Sequence, residues 1–473
     1  MKRPNTPHLL FTAAALMACA FATAPAHAVG GTEPLVDILD APGSAGLGFV
    51  TRIETSPYKG GGTRYDLLPL YLYEGERLFL HANRLGIKLI NQGDRIKDSN
   101  GQRLDLFVEQ RLEGHPIGVQ LPPSLTGMAT RDSGIDLGLS YKYRQPWGTL
   151  QAELVRDVSN TSRGNEARLG YSYDWRSGAF LLRPTLSVSF RDAKLNNYYY
   201  GVLPGEAIAG RPAYAPGAGV NSQIGLYGSY DVSTRWRLLG GVSATYLGGS
   251  VKDSPIVQKR VLPAVYIGAA YDFGGHKREW AEENSPTYFK ALYGKAAEPS
   301  CHLAKIITAR CASTDKVNPT SITGIQVGKP FINQLNGWPL DFAGYVGVTQ
   351  HNDRGLQSNG LQLDLFMKAI YTGFPWSDRI KTRLGLGVGV SMAQRVPYAE
   401  VSSQGSKSTS RLLTYLDPTI DISVGDLLGS RALKETYFGF GVSHRSGIFG
   451  ASSLLGNVNG GSNYLYTYIE TAF

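Results

Sequence analysis

Apolar and polar positions alternate with a period of two along most of this chain. In "LLRPTLSVSF" the residues Leu182, Pro184, Leu186, Val188 and Phe190 share one face. In "RLGLGVGVSM" Leu384, Leu386, Val388, Val390 and Met392 do the same, with glycine at most positions opposite. The stretch "LLTYLDPTIDISVG" is the sharpest case. Leu416, Pro418, Ile420, Ile422 and Val424 point one way, and Tyr415, Asp417, Thr419, Asp421 and Ser423 the other. Successive side chains of a strand point to opposite faces, so the pattern predicts β-strands with one apolar and one polar surface. A soluble β-sandwich has such strands. So does a transmembrane barrel, with lipid outside and a polar lumen.

The two ends favour the barrel. The chain opens "MKRPNTPHLLFTAAALMACAFATAPAHA", with Lys2 and Arg3, an apolar stretch from Leu9 to Phe21, and Ala26-His27-Ala28. Those features read as a secretory signal peptide over residues 1–28, cut after Ala28. Leu16-Met17-Ala18-Cys19 offers a competing, lipoprotein-type cleavage at Cys19. The chain closes on an aromatic strand, "NYLYTYIETAF", with Phe473 last, the usual mark of a barrel that closes at the periplasmic side. After the signal no apolar run reaches the ~20 residues of a transmembrane helix. Glycine is abundant at 57, and 27 tyrosines outnumber 17 phenylalanines. The expectation is an all-β, antiparallel transmembrane barrel in the outer membrane of a Gram-negative bacterium. The formal net charge of +9, counted with the signal, suits an anionic lipopolysaccharide surface, and equally an ordinary solvated one.

The pattern also divides. One part runs from about residue 43 to 274, where "AYDFGG" ends a strand, and a second from 286 to 473. Between them the charged "HKREWAEENS" predicts a linker over 275–285. In the second part eight strands are expected, at about 286–295, 321–331, 340–351, 361–374, 380–394, 411–425, 435–446 and 463–473. Their connections alternate between longer and shorter, as outer loops and periplasmic turns do. Eight strands make a small barrel filled by side chains. Two consecutive barrels are therefore expected, against the alternative of one large channel built from all the strands.

Candidate chemistry is sparse in the first part. Gly60–Gly62 lacks the strand-to-helix setting of a phosphate loop and reads as a turn. Tyr198, Tyr199 and Tyr200 could stack on sugar or form an interfacial aromatic girdle. Pro212, Pro216 and nearby glycines suggest an ordered outer loop. In the second part Cys301 and Cys311 remain after the signal, a pair that suggests a disulfide in an exported chain or else two thiols. His302 adds no metal-ligand set, and no cofactor motif or nucleic-acid signal appears.

The first part contains, in order, "GLGFVTRIETSPYKGGGTRYDLLPLYLYEGERLFL" (46–80), "LNNYYYGV" (195–202), "GRPAYAPGAGVNSQIGLYGSYDVSTRWRL" (210–238) and "SPIV" (254–257). These blocks resemble the MipA/OmpV family of outer-membrane proteins. The resemblance implies an outer-membrane barrel with a scaffold or envelope structural role, and murein-processing enzymes as partners.

"YFGFGVSHRSGIFG" raises a different possibility. Phe438, Phe440 and Val442 share parity with His444 and Ser446, so both polar residues fall on the lipid-facing side. Counting back from Phe473 puts them at the outer end of their strand. Asn463, opening the last strand with the parity of Leu465, Ile469 and Phe473, lies at the same end. A serine hydroxyl becomes a nucleophile when a neighbouring imidazole takes its proton and a third group orients the ring. This stretch resembles the lipid A deacylase barrels, with their His-x-Ser motif on the penultimate strand. The resemblance implies Ser446 as nucleophile, His444 as base, and outer-membrane lipid or lipopolysaccharide as substrate. Where that family has an acid, this chain has "NVNGGSNY", leaving Asn463 as the third member. Glu470 lies on the lumenal face toward the periplasm. Backbone N–H groups of Gly447 or Gly450 are candidate oxyanion donors. The plainer reading makes His444 and Ser446 rim residues, with Arg445 touching lipopolysaccharide phosphate.

Overall fold

The computed structural model describes Leu35 and residues 44–75, 77–81, 83–92, 100–111, 113–114, 122–129, 131, 134–273, 285–404, 409–447 and 461–473. The expected signal peptide lies outside these residues, as does the expected linker apart from Ser285.

The alternation closes into two walls. The first comprises β1 (Ser44–Thr55), β2 (Thr63–Glu74), β3 (Leu78–His81), β4 (Arg84–Gln92), β5 (Gly101–Gln110), β6 (Ile135–Gln145) and β7 (Gly148–Asp157). It continues through β8 (Asn165–Ser172), β9 (Trp175–Ser177), β10 (Phe180–Arg191), β11 (Gly219–Asp231), β12 (Trp236–Tyr246) and β13 (Val261–Asp272). β9 extends β8 along β10, β10 pairs with β11, and β13 returns to β1, so the wall is a closed twelve-stranded barrel. Its weakest seam is β2–β3, where pairing is confined to Leu72–Glu74 against Phe79–His81.

The second wall is a closed barrel of eight strands. They are β14 (Tyr288–Ala296), β15 (Ser321–Ile332), β16 (Leu340–Asn352), β17 (Gly360–Tyr371), β18 (Thr382–Ala393), β19 (Leu412–Ser423), β20 (Thr436–Ser446) and β21 (Gly461–Ala472). β21 returns to β14, Ala472 lying opposite Tyr288. Closure within each segment rules out the single large barrel. The expected strands match these closely. The largest difference is at the end of β17, Tyr371 rather than 374, where Thr372 and Gly373 already belong to the turn.

Both lumens are filled among the described residues. In the first barrel a charged ladder lines one side: Arg84 contacts Glu109 at 2.6 Å and Glu153 at 2.7 Å, and Arg168 reaches Glu109 at 2.7 Å. Arg111 bridges Asp136 at 2.7 Å and Glu166 at 2.8 Å, and Arg191 holds Glu113 at 2.6 Å. The other side combines an apolar cluster with the buried Arg52–Asp66 pair at 2.9 Å. Val50, Leu68, Leu70, Leu72, Leu239 and Tyr266 surround the fully buried Leu35. Charges in a low-dielectric interior persist only when paired, which the ladder achieves.

The outer mouth carries a correction. Tyr198–Tyr200 form neither a lipid-facing girdle nor an open stacking platform. They end a helix, Ala193–Tyr200, capped by Asp192, whose carboxylate accepts from the Leu195 N–H at 2.8 Å. That helix sinks Tyr199 and Tyr200 into a plug with Tyr58, Leu125, Leu247 and Ile256. The rings of Tyr58 and Tyr200 stack at 5.9 Å.

In the second lumen, Lys368 holds Asp417 at 2.9 Å, while Arg383 holds Asp421 at 2.8 Å and Glu470 at 2.7 Å. Tyr466 donates to Asp417, and Tyr468 to Asp421 at 2.5 Å. The barrels meet laterally: Phe273 packs on Phe342 with ring centres 4.5 Å apart, and Tyr73 on Phe331 at 6.2 Å. Ala45, Ile332 and Met367 complete that contact.

Candidate catalytic site on the outer face of the second barrel

β20 is phased by its small residues. Gly439 and Gly441 face the lumen, where a Cβ at Gly439 would meet the Asp421 Cβ at 2.5 Å and the Tyr468 ring at 2.7 Å. A Cβ at Gly441 would meet the Tyr466 ring. The intervening Phe438 and Phe440 face outward, 40% and 58% exposed. Tyrosines of β21 thus occupy the space that the glycines leave.

The same phase carries Arg445 into the lumen mouth. Its Nη2 donates to the carbonyls of Ser410 at 2.9 Å and Arg411 at 3.0 Å, and its Nε lies 3.4 Å from Glu400. Glu400 sits on the helix Tyr398–Gln404 over the barrel mouth, and both partners are fully buried. Burial pushes the Glu400 carboxyl up, and the Arg445 guanidinium pulls it back. Arg445 is therefore a structural anchor and does not touch lipopolysaccharide phosphate, contrary to the plainer expectation. Sequence offered no signal for this pairing, because Glu400 lies on a different element.

With Arg445 inside, strand alternation turns His444 and Ser446 outward. The register sets Asn463 opposite His444, and Gly461 and Thr414 on the two sides of Ser446. His444 Nδ1 lies 2.7 Å from Asn463 Oδ1. An amide oxygen only accepts, so the ring proton sits on Nδ1 and the Nε2 lone pair is left as the base. Asn463 is fixed in turn: its Nδ2 donates to the Cys301 carbonyl at 3.3 Å, and its own carbonyl accepts from Ala297 N–H at 2.8 Å. Cys301 is disulfide-bonded to Cys311, with Cα atoms 5.6 Å apart, closing a loop around the short helix Leu303–Ile307.

The patch is sheltered. His444 is 9% exposed, Val442 7% and Thr414 5%, whereas Phe440 below is bare. Glu470 lies at the far end of β21 in the lumen, bonded to Arg383 and accepting from Tyr345 at 3.1 Å, so it takes no part here. Gly447 is buried beside Ser446, and Gly450 lies outside the described residues.

Residues 47–273 match the family model for the MltA-interacting protein MipA. The relative "Outer membrane protein Omp26La" of Vibrio anguillarum is 33% identical over 44% of this chain and 79% of its own length. The chain belongs to this family. OmpV of Vibrio cholerae is 31% identical over 32% of the chain and 58% of its own length. The "MltA-interacting protein" of Escherichia coli is 25% identical over 50% of the chain and 93% of its own length. The match covers the MipA-family barrel, β1 to β13, and stops before β14. Its relatives and its closed β-walls make this an outer-membrane protein.

Proposed function

We propose that the MipA-family barrel serves as an outer-membrane scaffold that docks murein-processing enzymes. The observation that carries this reading is the pair of packed lumens, which leaves the surfaces and not a channel to do the work. The relative named for interaction with MltA supplies the partner class. Immobilised protein in detergent is expected to retain the MltA homologue from its own organism. Free passage of that homologue, with the barrel demonstrably folded, would sink the reading.

A second activity is favoured by the 2.7 Å contact of His444 with Asn463 on an outward, sheltered face. In this reading the second barrel hydrolyses acyl esters of outer-leaflet lipid, lipid A first among them. His444 Nε2 takes the Ser446 hydroxyl proton as Oγ attacks the ester carbonyl. The tetrahedral oxyanion collapses, His444 passes the proton to the departing alkoxide, and the acyl group stays on Ser446. Water, deprotonated by His444, then releases the fatty acid and restores the serine. Asn463 holds the ring and tautomer without neutralising the imidazolium, so the rate falls below that of an acid-supported triad. Refolded protein incubated with lipopolysaccharide is expected to remove one acyl chain, read by mass spectrometry of lipid A. Ser446→Ala beside it should lose the activity by about 10³-fold or more. Unchanged lipid A from folded wild type would overturn this reading.

A further inference from the structure

At position 463 the chain places an amide between two groups of opposite demand. On one side His444 Nδ1 presents a proton; on the other the Cys301 carbonyl presents only lone pairs. A carboxylate at 463 would set an oxygen against the Cys301 oxygen, and two acceptors repel. An amide satisfies both sides at once, and only in one orientation, with Nδ2 toward Cys301 and Oδ1 toward His444. The Cys301 carbonyl thus sets the Asn463 flip, and the flip sets the imidazole tautomer.

What holds Cys301 in place is the loop between β14 and β15. The Cys301 N–H donates to Glu298 at 2.8 Å, and the Glu298 N–H donates to Ser313 at 3.0 Å. The disulfide to Cys311 joins the two limbs of this loop, and the N–H groups of Cys311 and Arg310 both return to the Lys305 carbonyl. Cys301 is 1% exposed, seated against the barrel wall. From this we infer that Cys301 is a positioning residue: its carbonyl, held by the Cys301–Cys311 bridge, orients Asn463 and so keeps His444 in the Nδ1–H tautomer that a general base for Ser446 requires. The inference rests on the hydrolase reading for its purpose, but its geometry can be read without any turnover.

The test therefore has two readouts on full-length protein in micelles. ¹⁵N spectra of histidine-labelled protein report the His444 tautomer, the signal being assigned by its loss in His444→Gln. Folded wild type is expected to show protonated Nδ1 and bare Nε2. Reduction with dithiothreitol, or the Cys301→Ser/Cys311→Ser pair, should mix the tautomers, and so should Asn463→Leu, which removes the acceptor facing Nδ1 with the bridge intact. Reduction of protein already folded guards against a variant that fails to refold. Release of fatty acid from lipopolysaccharide should fall in parallel by about 10²-fold, the scale of a ~1 Å misplacement of a catalytic group. A tautomer unmoved by reduction, while Asn463→Leu moves it, overturns the positioning role of Cys301, whatever the activity. A tautomer that shifts in a protein without hydrolysis leaves the positioning role standing and removes the hydrolase reading instead.

Discussion

Arg445 shows how one side chain can phase a strand. It is flanked by His444 and Ser446, and its burial against Glu400 forces both of them outward. Removing one partner of a buried ion pair leaves an uncompensated charge, so Arg445→Ala should cost about 3–5 kcal/mol. Denaturant unfolding of the refolded protein measures that loss. Arg445→Met with Glu400→Leu should recover most of it, because well-packed apolar replacements of a buried pair come near to neutral. If the single and double variants were equally unstable, packing and not the charge pair would set the phase.

At the scale of the element, β20 and β21 are fitted to each other by glycine and tyrosine. Gly439 and Gly441 lie under the rings of Tyr468 and Tyr466, which donate to Asp421 and Asp417. Gly441→Val would drive a branched side chain into the Tyr466 ring, and overpacking of this kind costs about 1–3 kcal/mol. The expected sign is a lower midpoint of unfolding and a loss of heat-modifiable mobility in electrophoresis. An unchanged midpoint would mean that the tyrosine yields freely. The disulfide-closed loop after β14 touches the neighbouring last strand through Asn463.

For the whole molecule, two closed walls in one chain make independent folding the expectation. Every strand of the second barrel comes from Tyr288–Ala472, and the lateral contact through Phe273, Phe331 and Phe342 is small beside the barrel walls. Residues 285–473 expressed alone should refold in micelles to a heat-modifiable barrel. Failure to do so would make the MipA-family barrel a folding partner and not merely a neighbour. Planar-bilayer recordings of the full chain should show no steady conductance, because ladders of paired charges and buried rings fill both lumens. Stepwise conductance would contradict the packed interiors.

The period-two alternation by itself determined that this is a β-protein with one apolar face, and the placement of Leu416 and Asp417 on opposite sides needed no tertiary information. The same parity placed His444, Ser446 and Asn463 on one outer face, since strand geometry leaves each side chain only two directions. Closure was another matter. Which strand returns to which depends on hydrogen bonds between residues as far apart as Tyr288 and Ala472, and no local pattern encodes that pairing. The plugging of the mouth by Tyr199 and Tyr200 was hidden for the same reason, because a tyrosine run looks alike at a lipid interface and in a packed core. Glu400 beside Arg445, and the Cys301 carbonyl beside Asn463, come from loops remote in sequence, so only the folded barrel could bring them to the site.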